Sequence, residues 1–275
     1  MDFSRILEFF SGRRFWIIFV SIIALIAIFS AFDLKAASCQ LIYRSIDASL
    51  RSSYCTPVYR LTPQWQKVDD QTLKFEGEIQ PDNLSEFKRF FTPAIKKVVV
   101  NSIKGDYQAA FQIGKLLKAQ NVTVQVDGFC MSACANYWFL AGQRKILDGG
   151  VVGFQGNYNA VIADMTDAQI RENLEKEFKS TTGTRGTPEQ LETAYKRFMQ
   201  MVKEEAAFFK SQGISQKLFE YSQKKDKGAG DGKTYIFLIP SRKQLEQYGV
   251  KGIEGEQSES GRKILAATGP SFYKE

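Results

Sequence analysis

Two apolar runs and the segment between them constrain this chain more than any other feature. Val98-Val-Val100 leads into Asn101-Ser102, and Val122-Thr-Val-Gln-Val126 leads into Asp127-Gly128. Both runs are rich in β-branched residues and both end in polar residues or glycine, the pattern of buried parallel strands. Between them, Tyr107 to Ala119 carries Ala110, Phe111, Ile113, Gly114, Leu116 and Leu117 at helical spacing. Strand, helix, strand is a βαβ unit, which predicts an α/β domain with its site just past the strand ends. That place falls on Gly128-Phe-Cys-Met-Ser-Ala-Cys-Ala135. Gly128 permits a tight turn there, and Ser132 then opens a helix over residues 133–141. A serine at a strand-to-helix corner presents its hydroxyl beside the N–H groups of a helix N-terminus, which is half of a nucleophile site with an oxyanion hole. The same residue is a favoured helix N-cap, so the corner alone leaves both roles open.

The segments around this corner resemble the Clp protease/crotonase superfamily, in particular the extracytoplasmic relatives of the Clp proteolytic subunit. They are Phe75-Glu-Gly-Glu-Ile79, Val99-Val-Asn-Ser102 with Gly105, Gly128-Phe-Cys-Met-Ser-Ala-Cys134, Phe139-Leu-Ala-Gly142 leading to Lys145-Ile-Leu147, and Val151-Val-Gly-Phe-Gln-Gly156. Tyr235-Ile-Phe-Leu-Ile239 and Leu245-Glu-Gln-Tyr-Gly-Val250 look like the family's closing strand and tail. The resemblance implies a ClpP/crotonase-type spiral of ββα units with a mostly parallel sheet. It further implies Ser132 as nucleophile, oxyanion donors from Ala133 and from the turn at Gly105, and a histidine base near Phe154-Gln155.

The chain contains no histidine. Gln155, or Phe154 if the register slips by one, stands where that base belongs. An amide neither takes nor releases a proton near neutral pH. The family's Asn-Ser-Pro-Gly-Gly turn reads Asn101-Ser-Ile-Lys-Gly105 here, so Lys104 replaces its first glycine. A Ser-His-Asp triad is therefore excluded. Three functions follow. One is a catalytically silent relative that serves binding or assembly. The second is a serine hydrolase or peptidase in which Lys104, Lys145 or Lys233 is the base, since a buried lysine can titrate low enough for that. The third, a crotonase-like acyl-thioester enzyme, needs a coenzyme A supply that an extracytoplasmic domain lacks.

Residues 1–14 are short and basic, and residues 15–32 form an uncharged apolar run. At helical rise the run is roughly 27 Å long, enough to cross the hydrocarbon core. The flanking charges predict a single-pass transmembrane anchor in a bacterial inner membrane, with the domain on the periplasmic or extracytoplasmic side. Cleavage as a signal peptide after Ala36-Ala-Ser38, giving a secreted domain, and a lipoprotein site at Cys39 are the competing readings. All four cysteines follow the run, and proximity in an oxidising compartment suggests Cys39–Cys55 and Cys130–Cys134 pairs. Zinc fits poorly, because no histidine exists and the spacing is not Cys-x-x-Cys.

Residues 33–71 read as a connector and 72–255 as the globular body, which includes a helical arm over 164–212. Residues 256–275 read as a solvated tail. In the family an arm of this kind mediates oligomer contacts, so the amphipathic stretch 189–211 is a candidate for homo-oligomer formation, and a peptide or protein is the expected ligand. No cofactor is implied. The net charge of +7 is scattered among acidic residues, which argues against nucleic acid and leaves the basic N-terminus to meet anionic lipid.

Overall fold

Both β-branched runs form neighbouring parallel strands in a seven-stranded, mostly parallel sheet with helices around it, so the domain is α/β. The computed structural model describes residues 63–147, 149–223 and 237–268. The apolar run 15–32, Cys39, Cys55 and Lys233 lie outside these residues, and no helix among the described residues is long and apolar enough to cross a membrane.

In chain order the elements are β1 (Gln64–Lys67), β2 (Thr72–Glu76), α1 (Asn83–Phe90), β3 (Lys97–Ser102), α2 (Tyr107–Ala119), β4 (Thr123–Met131) and the π-helical α3 (Cys134–Phe139). They continue with β5 (Lys145–Ile146), β6 (Val151–Gly153), α4 (Tyr158–Ile162), α5 (Asp167–Thr182), α6 (Pro188–Lys210), α7 (Lys217–Gln223), α8 (Arg242–Gln247), β7 (Ile253–Glu254) and α9 (Glu259–Thr268). The sheet runs β1-β2-β3-β4-β5-β7, and β6 pairs with β4 beyond β5. Only β1 is antiparallel to its neighbour. Val98, Val100, Val124 and Val126 are fully buried, as continuous apolar runs in a covered parallel sheet must be.

β4 differs from the strand expected in sequence. It does not turn at Gly128 but runs on to Met131, because a bulge rather than a turn absorbs the glycine. Val100 pairs with Val126 and Ser102 with Cys130, a step of two residues on β3 against four on β4. Gly128 takes φ +102° inside that bulge, a conformation closed to most side chains, and the Asn101 side-chain oxygen accepts the Phe129 N–H at 3.2 Å. Past the bulge a second row of pairing begins, with Ser102 against Cys130, Cys130 against Val152, and bridges Ile79–Gly105 and Phe154–Leu238. β4 thus serves two successive partners, β5 along its first half and β6 along its second.

Two other expectations need correction. Residues 64–67, read as part of the connector, form β1, because Trp65 buries its ring against Phe75, Phe87 and Trp138. The stretch after residue 255, read as solvated tail, is anchored by buried Gln257. Its side-chain oxygen accepts the Val152 N–H at 2.7 Å and its amide donates to the Pro240 carbonyl, and helix α9 follows.

Helix α3 is packed directly on α2. A Cβ at Gly114 would stand 2.7 Å from the Tyr137 carbonyl oxygen, and Trp138 donates its ring N–H to the Ala110 carbonyl at 3.0 Å. Gly114→Ala is therefore expected to destabilise the fold by about 2 kcal/mol, despite alanine's better helix propensity. A chemical denaturation curve with an unchanged or raised midpoint would contradict this close approach.

Candidate functional site

The Ser132 corner is a strand-to-helix elbow. β4 ends at Met131, Ser132 takes φ +54°, and the chain enters α3 at once. A left-handed backbone is unfavourable for a serine and persists only where its surroundings over-determine it. Here they do. The Ser132 N–H donates to the Gly153 carbonyl at 2.9 Å and its own carbonyl accepts the Asn136 N–H at 2.8 Å. A disulfide joins Cys130 to Cys134 across the corner, with Cα atoms 5.2 Å apart. A simple N-cap does not need this backbone, since caps sit in the extended region.

Ser132 is only 3% exposed, so its hydroxyl must find protein partners. It donates to the Gln155 side-chain oxygen at 2.9 Å and lies 3.0 Å from the Tyr107 hydroxyl. Tyr107 also reaches the Gly156 carbonyl at 3.1 Å and the Gln155 side-chain oxygen at 3.4 Å. Gln155 thus meets the Ser132 hydroxyl directly. Phe154 does not: it is buried, and its backbone pairs with Leu238. Asn136, one turn into the helix, donates its amide to the Gln155 backbone carbonyl at 3.0 Å and fixes that segment.

None of these groups can take a proton from Ser132 near neutral pH. Amides do not titrate there. Burial pushes the Tyr107 phenol up to about 12, so it remains a neutral hydroxyl. Ala133 follows Ser132 directly at the start of α3, and Gly105 pairs with Ile79 past the end of β3. Gly105, at φ +146°, also has a structural duty: a Cβ there would meet Ile79 backbone atoms at 2.4 Å.

The two described lysines do not join the cluster. Lys104 points its 56% exposed side chain to Glu78, with Nζ 3.2 Å from the carboxylate, and contributes only its carbonyl to the turn. Lys145 is 5% exposed and donates to the Gly142 and Lys251 carbonyls at 2.5 and 2.9 Å. It pairs in register with Val124, eight residues before Ser132, which with the β4 bulge is roughly 20 Å away along the strand.

Burial lowers the Lys145 ammonium to about 8, from an ordinary 10.5. Between these values the unfolded chain holds a proton that the folded chain has released, so stability rises with pH. The slope is at most about 1.4 kcal/mol per pH unit for one proton. The rise ends near pH 10, where the raised Tyr107 begins to act in the opposite sense. Urea midpoints measured across this range are expected to climb in the wild type and to stay flat in Lys145→Met. Identical profiles would contradict the assignment.

A second cluster lies behind the first. Glu205, on the buried end of α6, is fully enclosed and accepts from the Tyr137 hydroxyl, the Tyr158 and Asn159 N–H groups and the Asn159 amide. The Tyr107 ring touches Tyr137 and Tyr158 edge-on, at 5.7 and 5.9 Å between centroids. Sequence reasoning missed Tyr107, Asn136 and Glu205. The available signals were Asn136, the lone amide in an apolar run, and Glu205, which interrupts the stripe Val202, Ala206, Phe209.

Fold and site together define an α/β domain with a serine elbow. No family model matches the chain, and no curated protein matches it.

Proposed function

We propose that this chain is a catalytically silent relative of the Clp-type serine peptidases, built as a spiral of ββα units. It is held at a membrane by its N-terminal apolar run with the domain on the extracytoplasmic side, and it serves binding or assembly. The observation that carries this reading is the hydrogen bond from the Ser132 hydroxyl to the Gln155 side-chain oxygen at 2.9 Å. A nucleophile must pass its proton to a base, and the acceptor here is an amide that cannot hold it. The second row of strand pairing past the β4 bulge supports the spiral architecture. The elbow, its left-handed serine and the flanking disulfide support descent from a nucleophile site, because a mere cap would need none of them.

A peptide or protein is the proposed ligand. Self-association belongs to the arm formed by α5 and α6. The buried residues of α6 are Val202, Glu205, Phe208 and Phe209, all near its C-terminal end, and α5 buries only Ile170. Leu174, Phe178, Leu191 and Phe198 remain half-exposed along the outer part, and Phe178 lines an open cavity of about 310 Å³. Half-covered apolar helices of this kind are suited to a second copy.

Ester and peptide hydrolysis assays on the full chain test the silent reading. No turnover that Ser132→Ala removes is expected. Turnover lost in both Ser132→Ala and Lys233→Met would establish the lysine-base hydrolase instead.

A further inference from the structure

Glu205 is a buried carboxylate with no cation paired to it among the described residues, and its place explains why it is there. Its two oxygens collect donors from both walls of the Ser132 site. Tyr137 belongs to α3, the helix that Ser132 opens, whereas Tyr158 and Asn159 lie two and three residues after Gly156. Four N–H and O–H groups converge on it, and only an acceptor-only group satisfies all four. A carboxylate offers about four lone-pair sites and a glutamine amide two, with two unwanted donors besides.

We propose that Glu205 is a positioning residue. Its carboxylate clamps residues 155–159 to α3 and to the arm helix α6, and a proton on it loosens the hold of Gln155 on Ser132. A protonated carboxyl can keep Tyr137 by donating to its hydroxyl, but the bonds from the Tyr158 and Asn159 N–H groups and the Asn159 amide lose the charge that makes them strong, and Asn159 supplies two of them. The titratable groups facing it are Tyr137 from α3, Tyr107 from α2 and Tyr158 from α4. Burial raises all three phenols, so none of them changes charge in mildly acidic solution. Burial also pushes the Glu205 carboxyl above the usual carboxylate range, against the pull of its donors.

This has a signature that a plain stability role lacks. A carboxyl whose folded value is raised stabilises the whole fold when protonated, and that gain fades as pH rises through the folded value. The local clamp behaves in the opposite way and tightens as the proton leaves. Global and local protection therefore respond to Glu205 with opposite slopes.

The inference takes the Ser132–Gln155 cluster as the site, but its readout does not require that cluster to bind anything. Amide hydrogen exchange of the full chain is followed by mass spectrometry over residues 155–160, relative to β3 and β4 and corrected for intrinsic rates. Moving from neutral to about pH 4.5 is expected to lower this relative protection about tenfold, the scale of one hydrogen bond. Glu205→Gln is expected to show the low value at every pH. If that variant does not fold, Tyr137→Phe serves: with one donor gone, the midpoint of the pH response moves upward. A pH-independent ratio in the wild type, a pH response surviving in Glu205→Gln, or an unmoved midpoint in Tyr137→Phe overturns the proposal. If the clamp is present and no ligand is ever found, the functional reading fails and this inference stands.

Discussion

Gly105→Ala is expected to cost about 3 kcal/mol or more, a fall of roughly 10 °C in the melting temperature of a domain this size. Two independent effects add. The backbone at Gly105 has φ +146°, which an L side chain rarely adopts, and the new Cβ would lie 2.4 Å from both the nitrogen and the oxygen of Ile79. The obstacle is main chain, so no rotamer change relieves it. Ile79 cannot retreat, because its N–H donates to the Lys104 carbonyl at 3.0 Å and its own carbonyl accepts the Asp106 N–H at 2.7 Å. Asp106 in turn caps α2 by accepting the Ala109 N–H at 2.6 Å, so the strain would reach the helix that carries Tyr107. Thermal unfolding followed by circular dichroism measures the loss. A variant within a degree or two of the wild type would mean that the β3 turn is not packed against Ile79 in this way.

The second large effect is a gain. Gln155→His places an imidazole where the amide now accepts the Ser132 proton at 2.9 Å. A positioned general base is worth about 10²–10⁴-fold in rate. Reaction of Ser132 with a fluorophosphonate is therefore expected to rise at least about a hundredfold over wild type. Tyr107, 3.0 Å from the same hydroxyl, competes for it, so Gln155→His with Tyr107→Phe should react faster than Gln155→His alone. Folded variants that both remain inert would mean that the missing base is not what silences Ser132.

Much of this site can be read in the chain. The helix predicted over residues 107–119 forms with those bounds, since aliphatic spacing and an Asp106 cap agree on it. The corner at Ser132, the pairing of Cys130 with Cys134 and the meeting of Gln155 with Ser132 are present as expected. What sequence spacing does not carry is the extra length in β4. A two-residue bulge leaves the apolar alternation intact while moving the strand end from Gly128 to Met131. Nor can spacing tell where a long side chain points. Lys104 sits next to Gly105 in sequence, and its ammonium pairs with Glu78 rather than reaching Ser132. Tyr107, Tyr137 and Glu205 come from three helices, and only tertiary packing brings them together behind Ser132.

The most direct measurement is labelling of the wild-type full chain by a fluorophosphonate, compared with Ser132→Ala and read by mass spectrometry. With only an amide and a neutral phenol beside it, Ser132 should carry no adduct, and the two proteins should be indistinguishable. An adduct on Ser132 that disappears in Ser132→Ala would mean that a base reaches the hydroxyl after all, and the silent elbow would have to be abandoned.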